Sequence, residues 1–243
     1  MTGATPGTVM NYYPICLDIT DRHCIIIGGG KVAARKAQGL LDHQARVTMI
    51  SPELSKESAV LHAENLLTWI DRPYRDGDLS TAFLVIAATD DPQVQERVHA
   101  EAEQNNILLN VADVPKWCNF ILPATVRRGD FSLAVSTGGK SPALAKRMRE
   151  RMEAQFGPEY EVLLATLGAL RPLVLDLKHP HSENKRIFEQ LLHDDMVLWI
   201  RDNRWDKVLD HFRKILGEQV PLDCLADIQA QCAHPSAGSI DYE

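Results

Sequence analysis

The chain of 243 residues holds no apolar run approaching the ~20 residues a bilayer-spanning helix needs, so no membrane span is expected. Its first nine residues, MTGATPGTV, lack the basic start and apolar core of a secretory signal and read as a loose arm. Cysteine is scarce. The five (Cys16, Cys24, Cys118, Cys224, Cys232) are odd in number and form no C-x-x-C pair. That spacing argues against a disulfide framework and a zinc knuckle, and points to reduced thiols in a cytoplasmic setting. Histidine offers no better metal set, because the one close pair, His179 and His181, reads as solvated loop side chains. No resident metal is therefore expected. Positive charge is in deficit, with 26 Lys and Arg against 33 Asp and Glu, which argues against broad adhesion to nucleic acid or membrane. No tyrosine has a lysine four positions later, which excludes the short-chain dehydrogenase pattern.

What the sequence does contain is a strand–helix alternation. His23–Ile27 is a short apolar run ending in three glycines, and 31–43 carries a helical stripe of Ala33, Ala37, Leu40 and Leu41. Strand-like runs follow at 46–50, 67–70, 83–87 and 107–111, with a helix over 92–104 opened by Pro92. Such alternation predicts an α/β domain built on a parallel sheet. The rhythm then changes. Two strand-like runs, 120–126 and 131–136, flank a hairpin signal, Arg127-Arg128-Gly129-Asp130. Ser141 and Pro142 then read as the cap and first residue of a helix over 143–154. From Glu159 the pattern is helical only, with apolar stripes at 163–177, 187–192 and 205–216, and the stretch after Gly217 has little pattern.

The glycine turn carries the first functional signal. Gly28-Gly29-Gly30-Lys31-Val32-Ala33 fits G-x-G-x-x-A between a strand and a helix. Gly28 permits the tight turn, Gly30 lets the backbone approach a pyrophosphate, and Ala33 permits close helix–strand packing. The N–H groups at the helix start then face the anion. The second strand ends at Ser51-Pro52-Glu53 with no arginine nearby for a 2′-phosphate, which favours NAD over NADP. Ala88 and Thr89, after another strand, are expected to wall the same crevice, whereas Asp90-Asp91-Pro92 reads as a helix cap. Asp113 follows the 107–111 strand at the same carboxyl edge. Between Val114 and Met152 there are eight basic residues (Lys116, Arg127, Arg128, Lys140, Lys146, Arg147, Arg149, Arg151) against two acidic ones, Asp130 and Glu150. Such a lining suits a polycarboxylate, and Thr137-Gly138-Gly139-Lys140-Ser141-Pro142 is the best anion cradle within it.

The segments PICLDI, IIIGGGKVAARKA, AATDD, NVADVPKWCNFILPA and AVSTGGKSPALAKRMRE, in this order, resemble the precorrin-2 dehydrogenase/sirohydrochlorin ferrochelatase family, which includes the N-terminal half of siroheme synthases. The resemblance covers about 12–216. It implies a Rossmann-type NAD domain (1–113), an α+β dimerisation region (114–156) and a small helical domain (157–217); 1–10 reads as the arm and 218–243 as a poorly ordered tail from their lack of pattern. It implies a homodimer that oxidises precorrin-2, a tetrapyrrole, to sirohydrochlorin with NAD⁺, with Fe²⁺ insertion as a further activity of some members. There Fe²⁺ is a substrate. The family's catalytic aspartate falls on Asp113, as a general base. Its NAD contacts fall on Gly28, Gly29, Gly30, Lys31, Val32, Pro52 and Glu53, and Ser51 beside them is expected to share the cofactor site. Substrate contacts are expected at Arg127, Arg128 and 137–141, where Thr137 replaces a serine of the family segment. Cys118 reads as a buried thiol. A rival reading, a non-enzymatic NAD-sensing dimer, accounts for the glycine loop but not for Asp113 or the 137–142 loop.

Overall fold

The computed structural model describes residues 12–218 and 220–232. The expected arm at 1–10 and the end of the expected tail, 233–243, lie outside them. The described chain forms two compact units, one of residues 12–122 with 138–141, the other of 123–137 and the residues from 142 onward. None of its helices is long and apolar enough to cross a membrane.

In the first unit the strand–helix alternation becomes β1 (His23–Ile27), α1 (Lys31–Leu41), β2 (Arg46–Ser51), α2 (Lys56–Ala63), β3 (Thr68–Asp71), β4 (Leu84–Ala87), α3 (Pro92–Gln104) and β5 (Leu108–Val111). The strands pair in the order β3-β2-β1-β4-β5, all parallel. Because the chain leaves β1 toward β2 on one side and returns to β4 on the other, the order reverses between β1 and β4. In such sheets the ligand crevice opens at the carboxyl ends of those two strands. Alternate residues of the central strands feed two cores. Cys24, Ile26, Met49 and Ile86 pack with Ala33, Ala37 and Leu40 of α1 on one face. Ile25, Ile27, Val85 and Leu109 pack with Val98 and Ala102 of α3 on the other. Each large side chain so buried contributes about 1.5–3 kcal/mol. Asp91 caps α3, its Oδ1 accepting from the N–H of Gln93 at 2.8 Å and of Val94 at 3.3 Å, with Pro92 opening the helix as expected. Helix α2, which the sequence pattern does not announce, is capped by Ser55, whose Oγ accepts the Ser58 N–H at 3.2 Å.

The second unit begins with an antiparallel hairpin, β6 (Ala124–Arg128) and β7 (Phe131–Val135), turned at Gly129-Asp130. The first strand was expected from Phe120, but it begins only at Ala124. Pro123 has no N–H to give to a ladder, and the Phe120 carbonyl instead accepts from Asn110 Nδ2 at 3.1 Å. Helix α4 (Pro142–Gln155) starts at the proline, as expected. Then come α5 (Glu159–Asp176), α6 (His181–Leu191), α7 (Met196–Arg201) and α8 (Trp205–Leu216), packed around Leu163, Leu170, Val174, Leu191, Met196 and Phe212. The stretch after Gly217 has more structure than its sequence suggests. A 3-10 turn (Asp223–Leu225) and α9 (Ala226–Cys232) form there because Val220 and Leu225 bury themselves in the same helical core.

Candidate active site

The glycine turn is dictated by crowding from three directions. Gly28 has φ +116°, and a β-carbon there would stand 2.3 Å from the Ala88 carbonyl oxygen. A β-carbon on Gly29 would meet the Glu53 carbonyl oxygen at 2.0 Å and Ser51 Oγ at 2.5 Å. Ser51, Glu53 and Ala88, expected from sequence as cofactor contacts, are thus all packed against the loop. The loop is held from behind as well. The Gly29 carbonyl accepts from the Ser55 N–H at 2.8 Å and from the buried Ser58 hydroxyl at 2.9 Å. Ser51 itself is buried, with its Oγ donating to the Glu53 carbonyl at 2.7 Å and its own carbonyl accepting from the Trp69 indole at 3.0 Å.

Gly30 differs from its neighbours. Its φ of −74° and ψ of −178° suit any residue, yet nothing lies within 4 Å of where its β-carbon would be. A glycine that backbone geometry does not require, over open space at a helix start, is what close approach of a pyrophosphate demands. The site therefore fits a dinucleotide, with the amides at the start of α1 facing its phosphates. Val32 is exposed on that first turn, and Lys31 is exposed with its Nζ 3.8 Å from Glu57. Pro52 is exposed, and Thr89 is half-buried, its carbonyl accepting from Gln95 Nε2 at 2.7 Å.

Asp113 stands on the turn just past β5, and β5 pairs with β4 in parallel register, so it lies at the carboxyl edge that also carries the glycine loop. It is exposed and left-handed, with φ +61°. Aspartate tolerates that conformation better than most residues. The turn continues into a 3-10 segment, Pro115–Trp117, anchored on α3 where Trp117 stacks on His99 at 5.4 Å. Lys116 Nζ lies 4.9 Å from the Trp117 ring centre. Cys118 is half-buried rather than buried. Loss of water raises its pKa while the Val111 N–H opposes the rise, so the thiol keeps its proton at neutral pH.

The basic segment divides into two kinds of side chain. Arg128 donates from Nε to the Phe156 carbonyl at 3.1 Å and from Nη2 to the Glu153 carbonyl at 3.4 Å. Arg149 is buried and pairs with Glu153 at 2.7 Å. Both serve the packing of their own unit. Arg147 and Arg151 are exposed, and Arg127 is exposed with its Nε on the Gly129 carbonyl at 3.0 Å. Gly138, Gly139, Lys140 and Ser141 belong to the first unit, whereas Thr137 and both hairpin arginines belong to the second. Gly138 (φ +61°) and Gly139 (φ +77°) give that loop two left-handed positions.

Three residues with roles at this site were not singled out for them from sequence: Ser58, which ties down the glycine loop, and Cys118 and Asn119, which bind the edge of β5. Asn119, a polar residue between Cys118 and Phe120, stands out in an otherwise apolar run, but that alone does not say which backbone groups it serves.

Residues 15–124 match the family model described as "Putative NAD(P)-binding", and residues 128–155 match "Sirohaem biosynthesis protein central". The siroheme synthase of Thioalkalivibrio sulfidiphilus is 36% identical over 208 residues, which is 85% of this chain and 42% of that protein. A siroheme synthase of Escherichia coli is 34% identical over 227 residues, 93% of this chain and 49% of that protein. The chain thus spans about half the length of these relatives. A solved structure described as "SirC, precorrin-2 dehydrogenase" superposes with a TM-score of 0.71 at 28% identity, over 84% of this chain and all of that one. The first unit is an NAD-binding domain, and the chain belongs to the family of the siroheme synthases and the precorrin-2 dehydrogenases.

Proposed function

We propose that this chain oxidises precorrin-2 to sirohydrochlorin with NAD⁺, on the path to siroheme. The observation that carries the reading is the placement of Asp113. It is an exposed carboxylate on a left-handed turn, at the same sheet edge as the glycine loop. Bound NAD⁺ supplies the two-electron acceptor, taking one hydrogen of the macrocycle as hydride. The second hydrogen must leave as a proton, and the Asp113 carboxylate is the base that receives it. The expected NAD contacts (Gly28, Gly29, Gly30, Lys31, Val32, Ser51, Pro52, Glu53, Ala88, Thr89) and substrate contacts (Arg127, Arg128, Thr137, Gly138, Gly139, Lys140, Ser141) are part of this proposal. An arginine-rich stretch suits the many carboxylates of a tetrapyrrole, because a guanidinium fork binds a carboxylate in bidentate fashion.

The proposal extends to a homodimer joined through 114–156 with a helical domain after it, and to a cytoplasmic setting. It also extends to Fe²⁺ insertion into sirohydrochlorin, in which Asp113 takes the pyrrole protons. Supplying precorrin-2 and NAD⁺ to the purified protein and following NADH absorbance tests the first activity, and no NADH would sink it. Incubation with sirohydrochlorin and Fe²⁺ without oxygen, read by the visible spectrum against an enzyme-free blank, tests the second.

A further inference from the structure

Strand β5 is the outer strand of the sheet, and half of its backbone groups point away from β4. An edge of unpaired N–H and C=O groups must find other partners. Here two consecutive side chains supply them. Asn119 Nδ2 donates to the Ile107 carbonyl at 2.8 Å, and its Oδ1 accepts the Leu109 N–H at 2.8 Å. Its own N–H donates to the Leu109 carbonyl at 3.0 Å. Two residues further along the strand, Cys118 Sγ accepts the Val111 N–H at 3.2 Å, and its S–H faces the Val111 carbonyl at 3.3 Å and the Val114 carbonyl at 3.5 Å. The pair takes the place of a sixth strand. In doing so it closes the ends of the 112–117 loop onto β5, with Asp113 between them.

We propose that Cys118 and Asn119 are positioning residues, which fix the Asp113 carboxylate at the sheet rim by tying its loop to the free edge of β5. This rests on the reading of Asp113 as the base. A left-handed turn of one exposed aspartate has little to hold it from within. Its internal backbone bonds are the Val114 N–H to the Val111 carbonyl at 3.3 Å, the Trp117 N–H to the Val114 carbonyl at 3.1 Å and the Cys118 N–H to the Pro115 carbonyl at 3.1 Å. The side-chain ties to β5, with the Trp117–His99 stack on α3, therefore set where the carboxylate stands. A displacement of about 1 Å at a reacting group costs on the order of a hundredfold in rate.

The test uses the full chain with Asn119→Ala, Cys118→Ala and Cys118→Ser, well below the unfolding temperature. Two readouts are taken: steady-state kinetics with precorrin-2 and NAD⁺, and backbone hydrogen exchange of 112–117 without ligands. Each hydrogen bond removed should speed local exchange about fivefold. Asn119→Ala and Cys118→Ala should lower kcat by about ten- to a hundredfold while the Kd for NAD⁺ stays within about twofold, because the glycine loop hangs on other strands. The serine variant keeps a donor and an acceptor, and should recover kcat to within about threefold of wild type. A merely structural role would lower the melting temperature and leave kcat alone. Wild-type kcat in folded Asn119→Ala, or a serine variant no better than alanine, overturns the proposal. Should Asn119→Ala fail to fold, the two Cys118 variants decide. A wild type that never forms NADH sinks the functional reading alone, and the exchange arm then decides whether the pair holds the loop.

Discussion

Gly28 and Gly30 are both expected to serve the dinucleotide, yet the structure predicts opposite outcomes when each becomes alanine. At Gly28 the new methyl would stand 2.3 Å from the Ala88 carbonyl oxygen, more than an ångström inside the ordinary contact distance of roughly 3.5 Å. The φ of +116° is also outside what alanine adopts readily. Overpacking of about 1–3 kcal/mol and backbone strain of about 1–3 kcal/mol together give about 2–6 kcal/mol of destabilisation. In a chain of this size that lowers the melting temperature by roughly 4–24 °C. At Gly30 the backbone already suits alanine and the methyl meets no protein atom. Stability should hold or rise by about 0.4–1 kcal/mol, as the unfolded chain loses freedom. The methyl instead occupies the space through which the phosphates reach the α1 amides. Losing one charge-assisted hydrogen bond there, at about 1.5–3 kcal/mol, weakens NAD⁺ roughly 10- to 150-fold. Thermal unfolding and calorimetric titration with NAD⁺ on both variants separate the two effects. A Gly30→Ala protein that binds NAD⁺ as the wild type does would refute the placement of the dinucleotide over that turn.

The other outcomes concern charge and thiol chemistry. Arg72 grips Asp78 through two bonds of 2.7 Å, and this pairing holds the Asp78 carboxyl below its ordinary pKa. A carboxyl lowered by folding stabilises above its unfolded pKa of about 3.9, and that contribution is lost as pH falls through the folded value. Acid titration of stability should therefore show a shallower loss below about pH 4 in Asp78→Asn than in the wild type. Burial pushes the Cys24 thiol up to about 11. At neutral pH a thiol reagent should label the exposed Cys16 and Cys224 quickly and Cys24 only after unfolding. Rapid labelling of Cys24 in the native protein would contradict its burial in the core of the sheet.

The first unit was largely legible because its signals are local. The β1-glycine-α1-β2 stretch announces itself by an apolar run, a turn that only glycine fits, and a helical stripe. The cap at Asp91-Pro92 has a fixed grammar of its own. Helix α2 was missed because its buried positions, Ser58 and Leu61, leave almost no apolar stripe. The late start of β6 is hidden because apolar content at 120–122 looks like a strand, while the Phe120 carbonyl is taken by the Asn110 side chain of β5. For the same reason the roles of Cys118 and Asn119 could not be read. Nothing in the order of residues says that β5 is an outer strand, and only the sheet order shows which backbone groups need partners. Among the eight basic residues, sequence alone could not separate Arg128 and Arg149, turned inward onto Glu153 and Phe156, from the exposed Arg147 and Arg151.

The role of Asp113 is tested most directly by comparing the wild type with Asp113→Asn in NADH formation from precorrin-2, with the Kd for NAD⁺ measured on both. Asparagine also tolerates the left-handed turn, so the loop should keep its shape and only the base is lost. The expected result is a fall in kcat of about a hundredfold or more with NAD⁺ binding unchanged. An asparagine variant that forms NADH at the wild-type rate would remove this carboxylate from the reaction.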